Sequence, residues 1–274
     1  MGWGFINSKY IRMNKRHAKT TTTQRPQSIE FTLNTDVVKE ISFTCLLYGG
    51  TIDWGDEEIE HRNNTISDLN TFFTHEYTCA MGIVTVKISG TKICEFSIQD
   101  VKLVDFKLIN CDFLHRLYIV NCNLQSLKFD RSNLLVLFCG CNCLEELKVD
   151  TLPNMAILNC ENNYIKHLDL TANLSLCCLE CKCNNLSDIK MSEQNTKLHY
   201  LHCSFNYLSK NTLENLFTIL LNAVGVLGLE LDFAYNPGTS EIDKSGFKEL
   251  FWDVKNIYYE KLVARFTEYT KECV

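Results

Sequence analysis

Between Leu137 and Leu208 one eight-residue phrase, L-x-C-x-x-N-x-L, occurs four times, with Ile once in its last place. The copies are Leu137–Leu144, Leu158–Ile165, Leu179–Leu186 and Leu201–Leu208, and their leading leucines stand 21, 21 and 22 residues apart. Two degenerate copies precede them, Phe96-Ser-Ile98 with Leu103 and Leu117-Tyr-Ile119 with Leu124. A phrase locked to one period means one structural unit repeated and stacked. No single unit can bury its apolar edge alone, so each depends on its neighbours. The chain between residues 93 and 240 is therefore expected to be a short solenoid.

The period lies in the leucine-rich-repeat range of roughly 20–29 residues. In such a unit the leucine and the cysteine two places on point inward from a short strand. Cys139, Cys160, Cys181 and Cys203 then become small buried hydrophobes, a ladder of free thiols suited to a reducing compartment or to thorough burial. The asparagines Asn142, Asn163, Asn184 and Asn206 turn the chain out of the strand. Their amides are expected to bond backbone of their own and the adjacent repeat, while Val101 and Cys122 stand in that place in the two early copies. About ten residues remain per unit after the second leucine, too few for a long helix, so extended or single-turn structure is expected there.

Function then shifts to the positions between the ladder residues, which are expected to face solvent on the concave sheet. By repeat these are His115, Arg116, Tyr118 and Asn121; Leu135, Val136, Phe138 and Cys141; Ala156, Ile157, Asn159 and Glu161; Cys178, Glu180 and Lys182; and His199, Tyr200, His202 and Phe205. The candidate partner-binding set is Arg116, Tyr118, Leu135, Val136, Phe138, Ile157, Asn159, Glu180, Tyr200, His202 and Phe205. An exposed apolar row on a regular sheet marks an interaction surface. His199, His202 and Cys203 suggest a metal by count alone, but Cys203 points inward and His202 outward, so no metal is assigned.

Ahead of the repeats, residues 28–92 alternate in the period-2 manner of strands, as in Ile29-Glu-Phe31-Thr-Leu33 and Ile83-Val-Thr-Val-Lys-Ile88. Gly49-Gly50 reads as punctuation between strands. Ile52-Asp53-Trp54-Gly55-Asp56, His75 with Tyr77, and Gly82 before a final alternating strand resemble a PKD-like (polycystic-kidney-disease-like) β-sandwich. The glycine usual after W-G-D is Glu57 here. Asp53, Asp56, Glu57 and His75 have the composition of a metal or hydrolytic cluster, yet Asp53 and Asp56 are also typical turn-forming residues.

After Leu208 the phrase breaks. Asn211-Thr-Leu-Glu214 reads as a capping box opening a helix through Leu213, Leu216, Phe217, Leu220 and Leu221. A last strand, Leu229–Phe233, leads to Asn236-Pro-Gly238. From residue 241 the apolar residues Phe247, Leu250, Phe251, Val254, Ile257, Tyr258, Leu262 and Phe266 recur at helical spacing. That pattern describes a helix that caps the solenoid, or one through which copies of the chain assemble.

The repeats, the helix before L-x-x-x-x-N-P-G and the following Asp243-Lys-Ser together resemble leucine-rich-repeat proteins of gut bacteria that carry a PKD-like N-terminal domain. The resemblance implies a cell-surface or secreted protein that binds a protein or glycan, and it carries no catalytic residues or cofactor. Composition narrows the classes further. A net charge of −6 offers no concentrated basic face for nucleic acid, although six basic residues precede the first acidic one, Glu30. Neither an export signal nor a membrane-spanning apolar run is visible. The reading is thus a flexible basic tail (1–27), a β-sandwich (28–92), a leucine-rich-repeat solenoid (93–240) and a helical cap (241–274). Non-catalytic recognition is the expected function.

Overall fold

The structure is a computed structural model, which describes residues 25–62, 72–130, 132–222 and 230–242. Most of the basic tail expected at residues 1–27 and the helical cap expected beyond residue 242 lie outside the described residues.

The N-terminal strands are β1 (Gln27–Asn34), β2 (Glu40–Asp53), β3 (Ile59–Arg62), β4 (Phe72–Glu76), β5 (Ile83–Gln99) and β6 (Leu103–Ile109). The repeats then supply β7 (Arg116–Val120), β8 (Val136–Phe138), β9 (Ile157–Asn159), β10 (His167–Asp169), β11 (Cys178–Glu180), β12 (Asp188–Lys190) and β13 (Tyr200–His202). Helix α1 (Lys210–Asn222), strand β14 (Glu230–Asp232) and a 3-10 turn (Pro237–Glu241) complete the described chain.

Strand β5 joins the two parts. Its first half pairs antiparallel with β1, with Phe31 opposite Val86, and much of its length pairs with β2, with Ile52 opposite Ile88 and Cys45 opposite Phe96. Its last five residues, Glu95–Gln99, pair in parallel with β7. From there β7, β8, β9, β11, β13 and β14 follow in order as one parallel ladder. One sheet of twelve strands results, β-rich throughout, with a solenoid of about five turns. The pairing does not divide the N-terminal strands into the two sheets expected of a sandwich, because β5 is shared with the repeats. A physical benefit follows: the first repeat strand has a partner and leaves no open edge.

Side chains alternate as a half-buried sheet requires. Phe31, Phe43, Trp54, Phe73, Phe96 and Phe106 form an aromatic core under the N-terminal strands, with Phe43 and Phe73 stacked at 5.3 Å. That core runs without a break into the leucines of the solenoid. Cys139, Cys160, Cys181 and Cys203 are fully buried free thiols, and burial pushes the Cys139 thiol up to about 12. On the back of the coil the expected extended segments appear as the parallel pair β10–β12.

The asparagines form the anticipated inter-repeat clamp. Asn163 Nδ2 donates to the Cys139 carbonyl of the preceding repeat (3.0 Å) and to the Cys160 carbonyl of its own (3.1 Å). Its Oδ1 accepts the Leu144 amide at 3.0 Å. Asn142, Asn184, Asn206 and Asn236 repeat this geometry. In the early copy the Cys122 thiol, buried where an asparagine would be, donates to the Val120 carbonyl at 3.3 Å. A second asparagine ladder was not anticipated: Asn173 and Asn195 are fully buried, and Asn195 donates to the Asn173 carbonyl at 3.0 Å.

The residue before each clamp position is held in the left-handed region: Asn121, Cys141, Asn162, Cys183, Phe205 and Tyr235 have φ between 53° and 56°. Asparagine tolerates that conformation, whereas cysteine and aromatic residues strain there by about 1 kcal/mol. Cys141 is exposed and its side chain is not part of the core. Cys141→Asn should therefore raise stability by about 0.5–1 kcal/mol, read as a higher urea midpoint. No change would mean the turn is not strained by its cysteine.

One local expectation is corrected. Helix α1 starts at Lys210, and its cap is Ser209, whose Oγ accepts the Thr212 amide at 3.3 Å. Asn211 already lies inside the first turn. Leu213, Leu216, Phe217 and Leu220 bury as read.

Candidate functional site

Registering the parallel strands sorts the concave residues into two columns. One runs Glu95, Arg116, Val136, Ile157, Cys178, Tyr200, Glu230. The other runs Ser97, Tyr118, Phe138, Asn159, Glu180, His202, Asp232. The first column is apolar from Val136 to Cys178 between polar ends, whereas the second is aromatic at Tyr118 and Phe138 and polar from Asn159 onward. At the N-terminal end Arg116 Nε donates to Glu95 Oε2 at 2.6 Å. In the middle Val136, Phe138, Ile157, Cys178 and Tyr200 form a second apolar cluster, separate from the main core, with Tyr118, Val120, Ala156 and Cys177 packed against it.

The far end is a hydrogen-bonded carboxylate–tyrosine–histidine group. Tyr200 Oη donates to Glu180 Oε2 at 2.9 Å and lies 2.9 Å from His202 Nδ1. The other ring nitrogen of His202, Nε2, is 3.3 Å from Glu230 Oε1. His202 Nδ1 also lies 3.2 Å from Glu180 Oε2, so the ring spans the two carboxylates. Lys182 Nζ closes the group from Glu161, at 2.8 Å, and lies 3.5 Å from Glu180 Oε1. Burial pushes the Tyr200 phenol well up, reinforced by the Glu180 charge, and burial also raises the Glu230 carboxyl against the opposing pull of His202. Glu180 Oε1 and Glu230 Oε1 are buried and accept no hydrogen bond of good geometry, although Lys182 Nζ lies 3.5 Å from the first and His202 Nε2 3.3 Å from the second.

The open, solvent-facing row expected from the sequence is therefore corrected. Val136, Phe138, Ile157, Asn159, Glu180 and Tyr200 expose only 4–8% of their surface. Arg116, Tyr118 and His202 are half-buried. Leu135 and Phe205 are exposed, and Phe205 stacks on Tyr235 at 4.3 Å beyond the strand end. The columns bring together Tyr118, Val136, Phe138, Ile157, Asn159, Glu180, Tyr200 and His202, while Leu135 and Phe205 stand apart. Glu230, Asp232 and Glu95 were missed. The signal was present: stepping 21 or 22 residues from Val136 and Phe138 gives both columns as far as β13.

In the N-terminal part, Asp53 Oδ1 and Asp56 Oδ1 accept backbone amides two residues on, from Gly55 (3.0 Å) and Glu58 (3.2 Å). Glu57 adopts the left-handed φ of 76° that a glycine would favour. His75 Nε2 is 2.6 Å from Asp56 Oδ2, and its ring stacks on Trp54 at 4.6 Å. These contacts lock a turn to a strand. Among the described residues, no three His, Cys, Asp or Glu side chains are placed to hold one metal ion, and no helix is long and apolar enough to cross a membrane.

The fold is a leucine-rich-repeat-like β-solenoid. No family model matches the chain, and no curated protein matches it. Among solved structures, the functional domain of InlJ from Listeria monocytogenes, described as including a cysteine ladder, is similar to this chain at 20% identity with a TM-score of 0.43. The likeness covers 62% of this chain and 42% of that one, so it spans less than half of that structure's length.

Proposed function

We propose that the protein is a non-catalytic interaction module whose concave sheet is a docking surface for a protein segment. The observation that carries this reading is the second apolar cluster. A solenoid folds on the leucines and cysteines between its strands and its back; it has no need of Val136, Phe138, Ile157, Cys178 and Tyr200 gathered on the opposite face. An apolar strip with ionic ends is the anatomy of a protein contact, apolar at its centre and polar at its rim. The acidic end, Glu180, Glu230 and Asp232, favours a segment that brings a basic residue. A glycan would instead need hydrogen-bonding groups along both columns, and the first is apolar from Val136 to Cys178.

The test is affinity capture with the full chain and with a variant carrying Val136→Ser, Phe138→Ser and Ile157→Ser. A partner held by the wild type should be lost by the variant, by at least about tenfold in apparent Kd, with the circular dichroism of the fold kept. Equal capture by a folded variant would remove the concave face from the function.

A further inference from the structure

Cys177 and Cys178 meet on the concave side at the start of β11, although neighbours along a strand ordinarily point to opposite faces. The cause is a bulge-like pairing. The Ala156 carbonyl accepts the amides of both Cys177 (2.8 Å) and Cys178 (3.1 Å), and the Cys177 carbonyl accepts those of both His199 (3.0 Å) and Tyr200 (3.2 Å). Two residues set against one re-aim the first side chain toward the face of the second. The same two positions hold His115 and Arg116, Leu135 and Val136, Ala156 and Ile157, and His199 and Tyr200 in the neighbouring repeats, so among these repeats a pair of thiols stands there once.

The two Sγ atoms are 3.8 Å apart, and both thiols are free. A metal–sulfur bond is about 2.3 Å long, so a single ion between them reaches both. Cys177 is half-buried and gives the pair a path to solvent, while Cys178 is buried in the strip. His199 comes from the next turn, with its Nε2 4.0 Å from Cys178 Sγ. Its Nδ1 is 3.1 Å from the Lys197 carbonyl, which only accepts, so in the neutral ring Nδ1 carries the hydrogen and Nε2 turns its lone pair to the thiol. The hydrogen bond from Cys178, helped by the Lys197 charge, holds the Cys177 thiol below its ordinary range, and the same bond pushes Cys178 up. The pair therefore gives up its first proton readily, and the thiolate is the form that binds metal.

We propose that Cys177 and Cys178 bind one soft, monovalent d10 cation of the Cu(I) class between their two sulfurs. Thiolate ligands select such ions. Zinc asks for three or four protein ligands, and among the described residues no three His, Cys, Asp or Glu side chains are placed to share one ion. On binding, two S–H bonds give way to two S–Cu bonds with no change of oxidation state. The Cys177 proton leaves to solvent, and the Cys178 proton passes to His199 Nε2. Two thiolates and one monovalent ion carry a single net negative charge, which the protonated His199 and the neighbouring Lys197 offset. The site lies at the lip of the apolar strip, and its filling does not depend on what docks there.

Cu(I) offered without oxygen to the reduced full chain, in competition with a Cu(I) chelator, tests the site. One ion per chain should be retained by the wild type and by Cys141→Ser, which removes an exposed thiol outside the pair. Cys177→Ser should release its copper at a chelator concentration at least about tenfold lower, since losing even a group that only supports a ligand costs that much. X-ray absorption at the copper edge of the loaded wild type should show two sulfur neighbours. No retention by the wild type, equal retention by Cys177→Ser, or three or more sulfurs around the copper each overturns the proposal. So does Zn(II) that the wild type retains and Cys177→Ser loses. The spectrum is taken on the wild type, so it decides the matter even if Cys177→Ser fails to fold.

Discussion

Asn163→Ala should cost the solenoid about 3 kcal/mol, read as a loss of folding free energy in urea at constant slope. Alanine removes the acceptor of the Leu144 amide and the donor to the Cys139 and Cys160 carbonyls, all buried between two repeats. Each orphaned buried group costs about 1–3 kcal/mol, and the turn cannot open to water without separating the repeats. Asn163→Asp keeps the acceptor but sets a carboxylate against carbonyl oxygens, which raises its pKa in the folded state. The sign follows: the aspartate variant is least destabilised at acid pH, where its carboxyl is protonated, and loses stability as pH rises through that raised value. An alanine variant within 1 kcal/mol of wild type would show that the asparagines decorate the turn without holding the stack.

A comparably large effect is expected at Gly50→Ala. Gly50 sits within β2 directly opposite Gly90 of β5, and a Cβ there would meet the Ser89 carbonyl oxygen at 1.9 Å and the Gly90 Cα at 2.8 Å. Both atoms are backbone, so no rotamer change relieves the contact and one strand must move. Overpacking of this kind costs about 1–3 kcal/mol. The upper end is expected because β5 also carries the first repeat strand, which ties the displacement to the solenoid. Differential scanning calorimetry would record it as a fall in Tm. A shift of less than a degree would show that the strands bow apart freely at this crossing.

These two sites also mark what the sequence could and could not reveal. The asparagines and cysteines were legible because the same residue returns at the same place in every turn, and a place that tolerates only one residue type has one environment. Asn173 and Asn195 escaped because only two copies carry them. Gly49-Gly50 read as a turn because glycine pairs usually punctuate strands. Here the missing side chains admit another strand, a long-range fact that local pattern does not contain. Ser209 lost the cap to Asn211 on paper because serine and asparagine serve equally well there, and the backbone direction decides. The concave residues were assigned to the correct side of the strands by their alternation with the buried leucines and cysteines. Alternation says which side of a sheet a residue faces, however, and nothing about what lies above it. Val136, Phe138 and Ile157 were therefore read as exposed when they are buried.

Glu180, Tyr200, His202 and Glu230 illustrate the same limit from the polar side. Spacing aligns them on neighbouring strands, but only the register shows one tyrosine hydroxyl within 2.9 Å of both a carboxylate and an imidazole. Burying that group beside the apolar strip makes the strip directional, with cation-seeking chemistry at one end and the Glu95–Arg116 pair at the other.

The central claim is that the apolar strip belongs to a layer distinct from the solenoid core. Thiol labelling of the full native chain, mapped by peptide mass across increasing urea below the unfolding transition, tests it most directly. Cys178 lies in the strip, and Cys160 and Cys181 lie in the core of adjacent turns. If the strip opens independently of the core, Cys178 reacts through a local opening that exposes little surface, so its rate changes weakly with urea, while Cys160 and Cys181 react only through global unfolding and follow urea steeply. Identical steep dependence for all three thiols would contradict the account, since the strip would then be one more part of the core.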